Sequence, residues 1–169
     1  MSFTSDVKDE LARVEPSCSH CARATLAALV RIEGTLLIMG KGRRGLEIST
    51  EVGPVARFVI RSLHGMYDFK TELTARRSVL HDTPNFLITV PPQPGLNDAL
   101  VDLGVLGDAG LESGIAPPLV EKTCCSAAYV RGAFLGRGFI ADPRGDFHFE
   151  ITVENETLAG ELVALMNRH

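Results

Sequence analysis

Four cysteines, two residues that each precede a glycine, and a scatter of turn cations are the side chains here whose types and spacing could do chemistry. Cys18 and Cys21 form a C-x-x-C pair, and Cys124 and Cys125 are adjacent. Together they could supply the four thiolates of a zinc site. Vicinal ligands are unusual, the second pair lacks C-x-x-C spacing, and cysteine is a common small buried residue. The four are therefore read as packing residues, with no cofactor expected and zinc as the alternative. His20, between Cys18 and Cys21, reads as an exposed residue, and the five histidines show no metal-ligand spacing. Glu33 precedes Gly34 and Arg137 precedes Gly138. Lys41, Arg43 and Arg44 occupy a glycine-rich turn at 40–45, Arg76 and Arg77 end a strand-like stretch in which Lys70 faces the same side as Arg76, and Arg144 follows Asp142-Pro143 in a turn-like run. Cations at hairpin tips can meet phosphates without reading sequence. Glu47, Glu72 and Glu150 fall on polar strand positions and would repel phosphate. No Walker-type phosphate loop and no serine nucleophile elbow is present.

The elements that must position these residues come in two copies. Cys21 to Leu36 and Cys125 to Ile140 align at an offset of 104 residues, pairing Cys21 with Cys125, Leu26 with Val130, Ala28 with Gly132, Val30 with Phe134 and Gly34 with Gly138. That period is too long for a solenoid and points to a pseudo-two-fold domain. Small residues at helical spacing let two backbones approach closely: Ala24, Ala27 and Ala28 in one copy, Ala127, Ala128, Gly132 and Ala133 in the other.

Phe3, Val7 and Leu11 predict an amphipathic helix over 2–14, ended by Pro16. A helix over 21–33 follows, with Gly34 as the residue past its end. Strands are expected at 36–39 and 46–50. Pro54 opens a helix running to about Gly65. Strands then alternate over 69–76 and 86–90, and a helix covers 96–103. Residues 104–123 read as a Gly/Pro-rich connector. The second copy reads as helix 124–137, strands 139–142 and 147–153, and helix 155–168. It has no counterpart of residues 69–103, so it is expected to be truncated.

The chain has 169 residues, 45% of them hydrophobic, and a net charge of −4. These values fit one domain built from two halves. An acidic balance makes any nucleic-acid surface a local patch. Trp is absent, which disfavours base-stacking platforms. No apolar run approaches the roughly 18 residues of a membrane span. Asp6, Asp9 and Glu10 are unlike a signal peptide, so a cytoplasmic chain with no membrane partner is expected.

Leu26-Ala27-Ala28-Leu29-Val30-Arg31-Ile32-Glu33-Gly34 resembles the nine-residue helix motif of the LAGLIDADG homing endonucleases, and the helix–strand–strand–helix–strand–strand–helix order matches theirs. Nearly the whole chain is similar to the WhiA family of bacterial transcription regulators of sporulation and cell division. That resemblance is carried by Met1 to Leu11, by Leu46 to Glu51 with Val55-Ala56-Arg57, and by Cys124 to Leu135 with Gly138 and Asp142-Pro143. It implies an α+β, LAGLIDADG-like αββαββα pseudo-repeat with its second copy incomplete. The expected parts are an N-terminal helix (1–17), a first repeat with connector (18–121) and a second repeat (122–169), without the family's C-terminal helix-turn-helix domain.

The resemblance also implies a nucleoid-associated protein that contacts DNA weakly through this part, with RNA polymerase or a WhiB-type iron–sulfur regulator as partners. In the nucleases, an acid before the terminal glycine of each paired helix holds catalytic divalent metal. The matching positions are Glu33 and Arg137, and a cation cannot ligate a metal. A non-enzymatic domain with these two side chains close together is therefore expected. The alternatives are an active endonuclease, for which Asp142 would have to supply the second acid, and a zinc or redox sensor built on the cysteines.

Overall fold

A computed structural model describes residues 2–169, and Met1, the first residue of the expected N-terminal segment, lies outside them. The first helix, α1 (Phe3–Ala12), starts where the Ser2 hydroxyl accepts the Ser5 amide at 3.2 Å. This satisfies one of the amides left free at a helix start. The two copies of the repeated helix are α2 (Ser19–Glu33) and α5 (Thr123–Arg137). Both are buried over most of their circumference, as helices at a domain centre are.

They run in the same direction along a spine of small residues. The Cys21 and Cys125 sulfurs are 4.0 Å apart at the N-terminal end. The Thr25 hydroxyl lies 3.1 Å from the Ala128 carbonyl. Gly132 sits so tightly on α2 that a Cβ there would come within 2.8 Å of the Ala28 Cβ. Next along the spine, a Cβ on Gly136 would meet Ile32 at 3.2 Å. Glycine and alanine thus set the backbone separation, and burial of their neighbours holds it.

Each repeated helix passes straight into a strand. Gly34 has φ −75°, ψ 137°, and Gly138 has φ −79°, ψ 147°, so both are extended. Gly34 stands just past the end of α2, as expected, but it opens a strand rather than turning the chain. Its glycine is needed because a Cβ would collide with the Val30 carbonyl oxygen, as one on Gly138 would with that of Phe134.

In the first half, β1 (Gly34–Ile38), β2 (Arg44–Thr50), β3 (Glu72–Arg77) and β4 (Pro84–Val90) form one antiparallel sheet in the order β1-β2-β4-β3. Leu46, Ile48, Ile88 and Val90 are buried on its inner face. The helix α3 (Gly53–Tyr67), with Pro54 in its first turn, packs on β2 and β4, and the helix α4 (Leu96–Asp102) packs on β2. The expected alternation of a buried and an exposed face over 69–76 is not realised. Phe69 is buried but precedes the ladder, and all six residues of β3 are exposed, Leu73 by 53%. The cause is position: β3 is the sheet edge, and the helices cover its neighbours instead.

The connector contains a hairpin of β5 (Leu106–Gly107) and β6 (Gly110–Leu111), with Gly110 at φ 109°. The second half pairs β7 (Gly138–Ile140) with β8 (Phe149–Ile151) and ends on α6 (Glu156–Met166), capped by the Asn155 side chain.

Candidate functional site

The paired helices bring two groups of side chains together, one at each end. At the C-terminal end, Arg137 Nε lies 3.4 Å from Glu33 Oε1, and its Nη1 lies 3.1 Å from Glu154 Oε1. A second cation arrives from α1. Lys8 Nζ donates to the Gly136 carbonyl at 3.0 Å, and α1 is held there because the Thr4 hydroxyl bridges the Ile140 carbonyl and amide at 2.8 and 3.1 Å.

Burial pushes the Glu33 carboxyl up, and Arg137 and Lys8 only partly offset it. Burial likewise pulls the Lys8 ammonium down, against the opposing pull of Glu33 and Glu51. A divalent cation would find one carboxylate of the repeat pair already engaged and two positive groups beside it. This donor set does not suit the metal of a LAGLIDADG nuclease.

Asp142 does not supply a second acid to the pair. Its carboxylate is taken up by the Arg144 guanidinium at 3.0 Å and the Arg144 amide at 3.0 Å, and the Gly145 amide closes the turn on the Asp142 carbonyl at 3.0 Å. Arg144 accordingly holds this carboxyl below its ordinary range.

The candidate turn cations do not share one environment. Lys41 is at φ 64°, in the left-handed region, at the tip of the β1–β2 turn, and Lys41 and Arg43 are both exposed. Arg44 has the parity of Leu46 and Ile48, so it lies on the helix-bearing face, where its guanidinium meets the Asn97 side chain at 3.2 Å. Lys70 precedes β3, and its backbone amide and carbonyl are held by the Gln93 side chain. It is therefore outside the ladder that was expected to align it with Arg76. Arg76, opposite Asn85, shares the open face with Glu72, Thr89 and Glu47. Arg77 points to the other face and is paired with Asp82 at 3.2 Å.

At the N-terminal end, the four cysteine sulfurs converge, all within 4.8 Å of one another. Cys21 and Cys125 are buried, Cys18 is half-buried and Cys124 is exposed. The reading of all four as packing residues therefore fits only the buried pair. The alignment that pairs Cys21 with Cys125 already places both cysteine pairs at equivalent helix starts, so the pseudo-two-fold arrangement allows this approach even though one adjacent pair and one C-x-x-C pair look unmatched in spacing. Hydrogen bonds from the Cys21 amide and thiol hold the Cys18 thiol down at about 6, whereas burial pushes Cys21 up to about 12.

Two family models match the chain: the WhiA N-terminal LAGLIDADG-like domain over residues 19–106, and the WhiA LAGLIDADG-like domain over residues 126–169. The chain belongs to the WhiA family. Among its curated relatives, a WhiA named as a probable cell division protein from Desulforamulus reducens is 38% identical over 169 residues, covering 98% of this chain and 52% of the relative. One of the same name from Desulfitobacterium hafniense is 39% identical over 170 residues, covering 99% and 53%. The chain thus spans about half the length of these WhiA relatives. Full-length DUF199/WhiA from Thermatoga maritima superposes with a TM-score of 0.67 at 19% identity, over 99% of this chain and 49% of that one. The crystal structure of the N-terminal LAGLIDADG domain of DUF199/WhiA gives 0.66 at 18% identity, over 99% and 72%. These structures establish the mixed α/β, LAGLIDADG-like fold of WhiA.

Within this WhiA-family fold, sequence reasoning missed Lys8. Its position in the amphipathic helix reads as solvent-facing, and only the docking of α1 onto β7 through Thr4 carries it to the Glu33–Arg137 pair. No helix among the described residues is long and apolar enough to cross a membrane.

Proposed function

We propose that this chain is the non-catalytic, DNA-facing part of a WhiA-type regulator of cell division and sporulation. The observation that carries this reading is the Arg137–Glu33 ion pair at the point where a nuclease of this fold needs two converging acids. Lys8 adds a second positive charge that, with Arg137, partly offsets the burial of Glu33. With Arg137 in place of the second acid, the pair offers no two-carboxylate cradle for a water-activating metal.

What is left is a sheet with basic turns. Among the candidate cations, Lys41, Arg43 and Arg76 are exposed and make no ion pair among the described residues, Arg43 giving only a 3.4 Å hydrogen bond to the Gly40 carbonyl, and Lys70 lies just before the strand of Arg76. Arg44, Arg77 and Arg144 have protein partners to give up first. Glu47 and Glu72 on the open face limit the affinity. Binding is therefore expected to be weak, sequence-independent and salt-sensitive.

The test is fluorescence anisotropy of a labelled duplex titrated with this chain over a range of salt. A log-affinity slope of a few units supports the reading, with the slope falling by about one for each lost phosphate contact on reversing Arg43 or Arg76. No binding at low salt would overturn it and leave the domain as a protein-docking scaffold.

A further inference from the structure

We propose that Cys18, Cys21, Cys124 and Cys125 bind one thiophilic ion of the Zn2+ type in tetrahedral coordination, clamping together the N-terminal ends of the two repeated helices. The four sulfurs lie within 4.8 Å of one another, with 3.4 Å between Cys18 and Cys21 and 4.0 Å between Cys21 and Cys125. A Zn–S bond of about 2.3 Å gives a tetrahedron whose sulfurs are roughly 3.8 Å apart. The observed spacings bracket that value, so small side-chain rotations complete the site. An iron–sulfur cluster does not fit, because its bridging sulfides hold cysteine sulfurs farther apart.

Three further features suit a metal. The sulfurs come from two segments more than a hundred residues apart and meet only because α2 and α5 are paired. Packing alone does not explain why an exposed thiol, Cys124, joins the group. Both helices begin at the sulfurs, at Cys18 and at Lys122, so their positive dipole ends lie beside the cluster and favour thiolate. The donor set is all sulfur, which selects a soft or borderline ion over Mg2+ or Ca2+. Cys124 and Cys18 leave a path for the ion, while Cys21 and Cys125 anchor it against the core. On coordination each thiol gives its proton to solvent, so binding weakens as pH falls. The clamp sits at the opposite end of the helices from Glu33 and Arg137, so it stands or falls independently of the DNA reading.

The experiment is metal and thiol analysis of the whole chain purified under reducing conditions without chelator, followed by Co2+ replacement. The expected result is about one equivalent of zinc per chain and, with Co2+, the intense visible absorption of a tetrahedral thiolate complex. Cys124→Ser, at an exposed position, is expected to keep the native circular dichroism while losing tight binding. A chelator should lower the thermal midpoint of the parent chain and leave that of the variant unchanged. A reduced chain that retains no metal after exposure to excess Zn2+ and gives only the octahedral Co2+ spectrum would overturn the proposal. So would a Cys18–Cys21 disulfide, found by mass spectrometry, that forms in place of metal binding.

Discussion

Arg137 closes the C-terminal end of the helix pair by reaching Glu33 at 3.4 Å through Nε and Glu154 at 3.1 Å through Nη1. One guanidinium thereby joins the end of α2 to the loop after β8. Glu33 is the more buried of the two acids, with its side chain 16% exposed against 78% for Glu154. Replacing Arg137 with Met leaves a largely buried carboxylate with only Lys8 beside it. A loss of about 1–3 kcal/mol is expected, the cost of an unpartnered buried polar group. Urea unfolding of Arg137→Met checks this, with Glu154→Gln as the exposed control expected to lose about 1 kcal/mol or less.

The same pair gives a sign for pH dependence. Burial raises the Glu33 pKa in the folded state, despite Arg137 and Lys8. The folded chain thus holds that proton more tightly than the unfolded chain does. The resulting stabilisation is present below the ordinary carboxylate value and is lost as pH rises through the higher folded pKa. Glu33→Gln should flatten that part of the stability–pH curve, measured by chemical unfolding at stepped pH. A curve unchanged in shape would show that Glu33 is not the group responsible.

Gly132 is where the helix pair is tightest. Gly132→Ala forces a Cβ against the Thr25 backbone and to 2.8 Å from the Ala28 Cβ, so the helices must separate. Overpacking of this kind costs about 1–3 kcal/mol. Gly136→Ala meets Ile32 and Glu33 side-chain atoms at 3.2 and 3.3 Å, which can yield, and should cost less. Gly160→Ala in α6 meets nothing and should stabilise by about 0.5–1 kcal/mol through helix propensity. The order Gly132, Gly136, Gly160 in thermal midpoint change is the outcome to check.

The pairing of α2 with α5 was legible because both copies carry small residues at matching offsets, and the end-to-end register from Cys21–Cys125 to Glu33–Arg137 follows from that alignment. The first-half sheet was legible from the alternation in Leu46–Thr50 and Phe86–Val90. Other features were hidden for physical reasons. Residues 72–77 alternate in sequence, but an edge strand without a covering helix buries neither face. The β5–β6 hairpin is too short to show a period. Gly34 is legible as the residue past the helix end, but not its constraint, a clash of any Cβ with a carbonyl one helical turn earlier. The role of Lys8 depends on a contact between elements far apart in sequence, which no local pattern encodes, whereas the approach of the four thiols follows from the alignment of the two helix starts.

Among the turn cations, Arg144 and Arg76 should behave differently. Arg144 is tied to Asp142 in its own turn, and Arg76 has no such partner among the ion pairs of the described residues. Arg76→Glu should weaken duplex binding and lower its salt slope by about one, and Arg144→Glu should change it by less. Anisotropy titrations of the two variants in parallel decide the matter.

The most direct single measurement is duplex binding by this chain with Mg2+ titrated in at constant ionic strength, the DNA being recovered afterwards on a denaturing gel. With Arg137 and Lys8 flanking Glu33, affinity should not rise with Mg2+ and the duplex should remain intact. Binding that strengthens with Mg2+, or strands that come back cut, would contradict a non-catalytic domain and show that the helix pair still holds a working metal site.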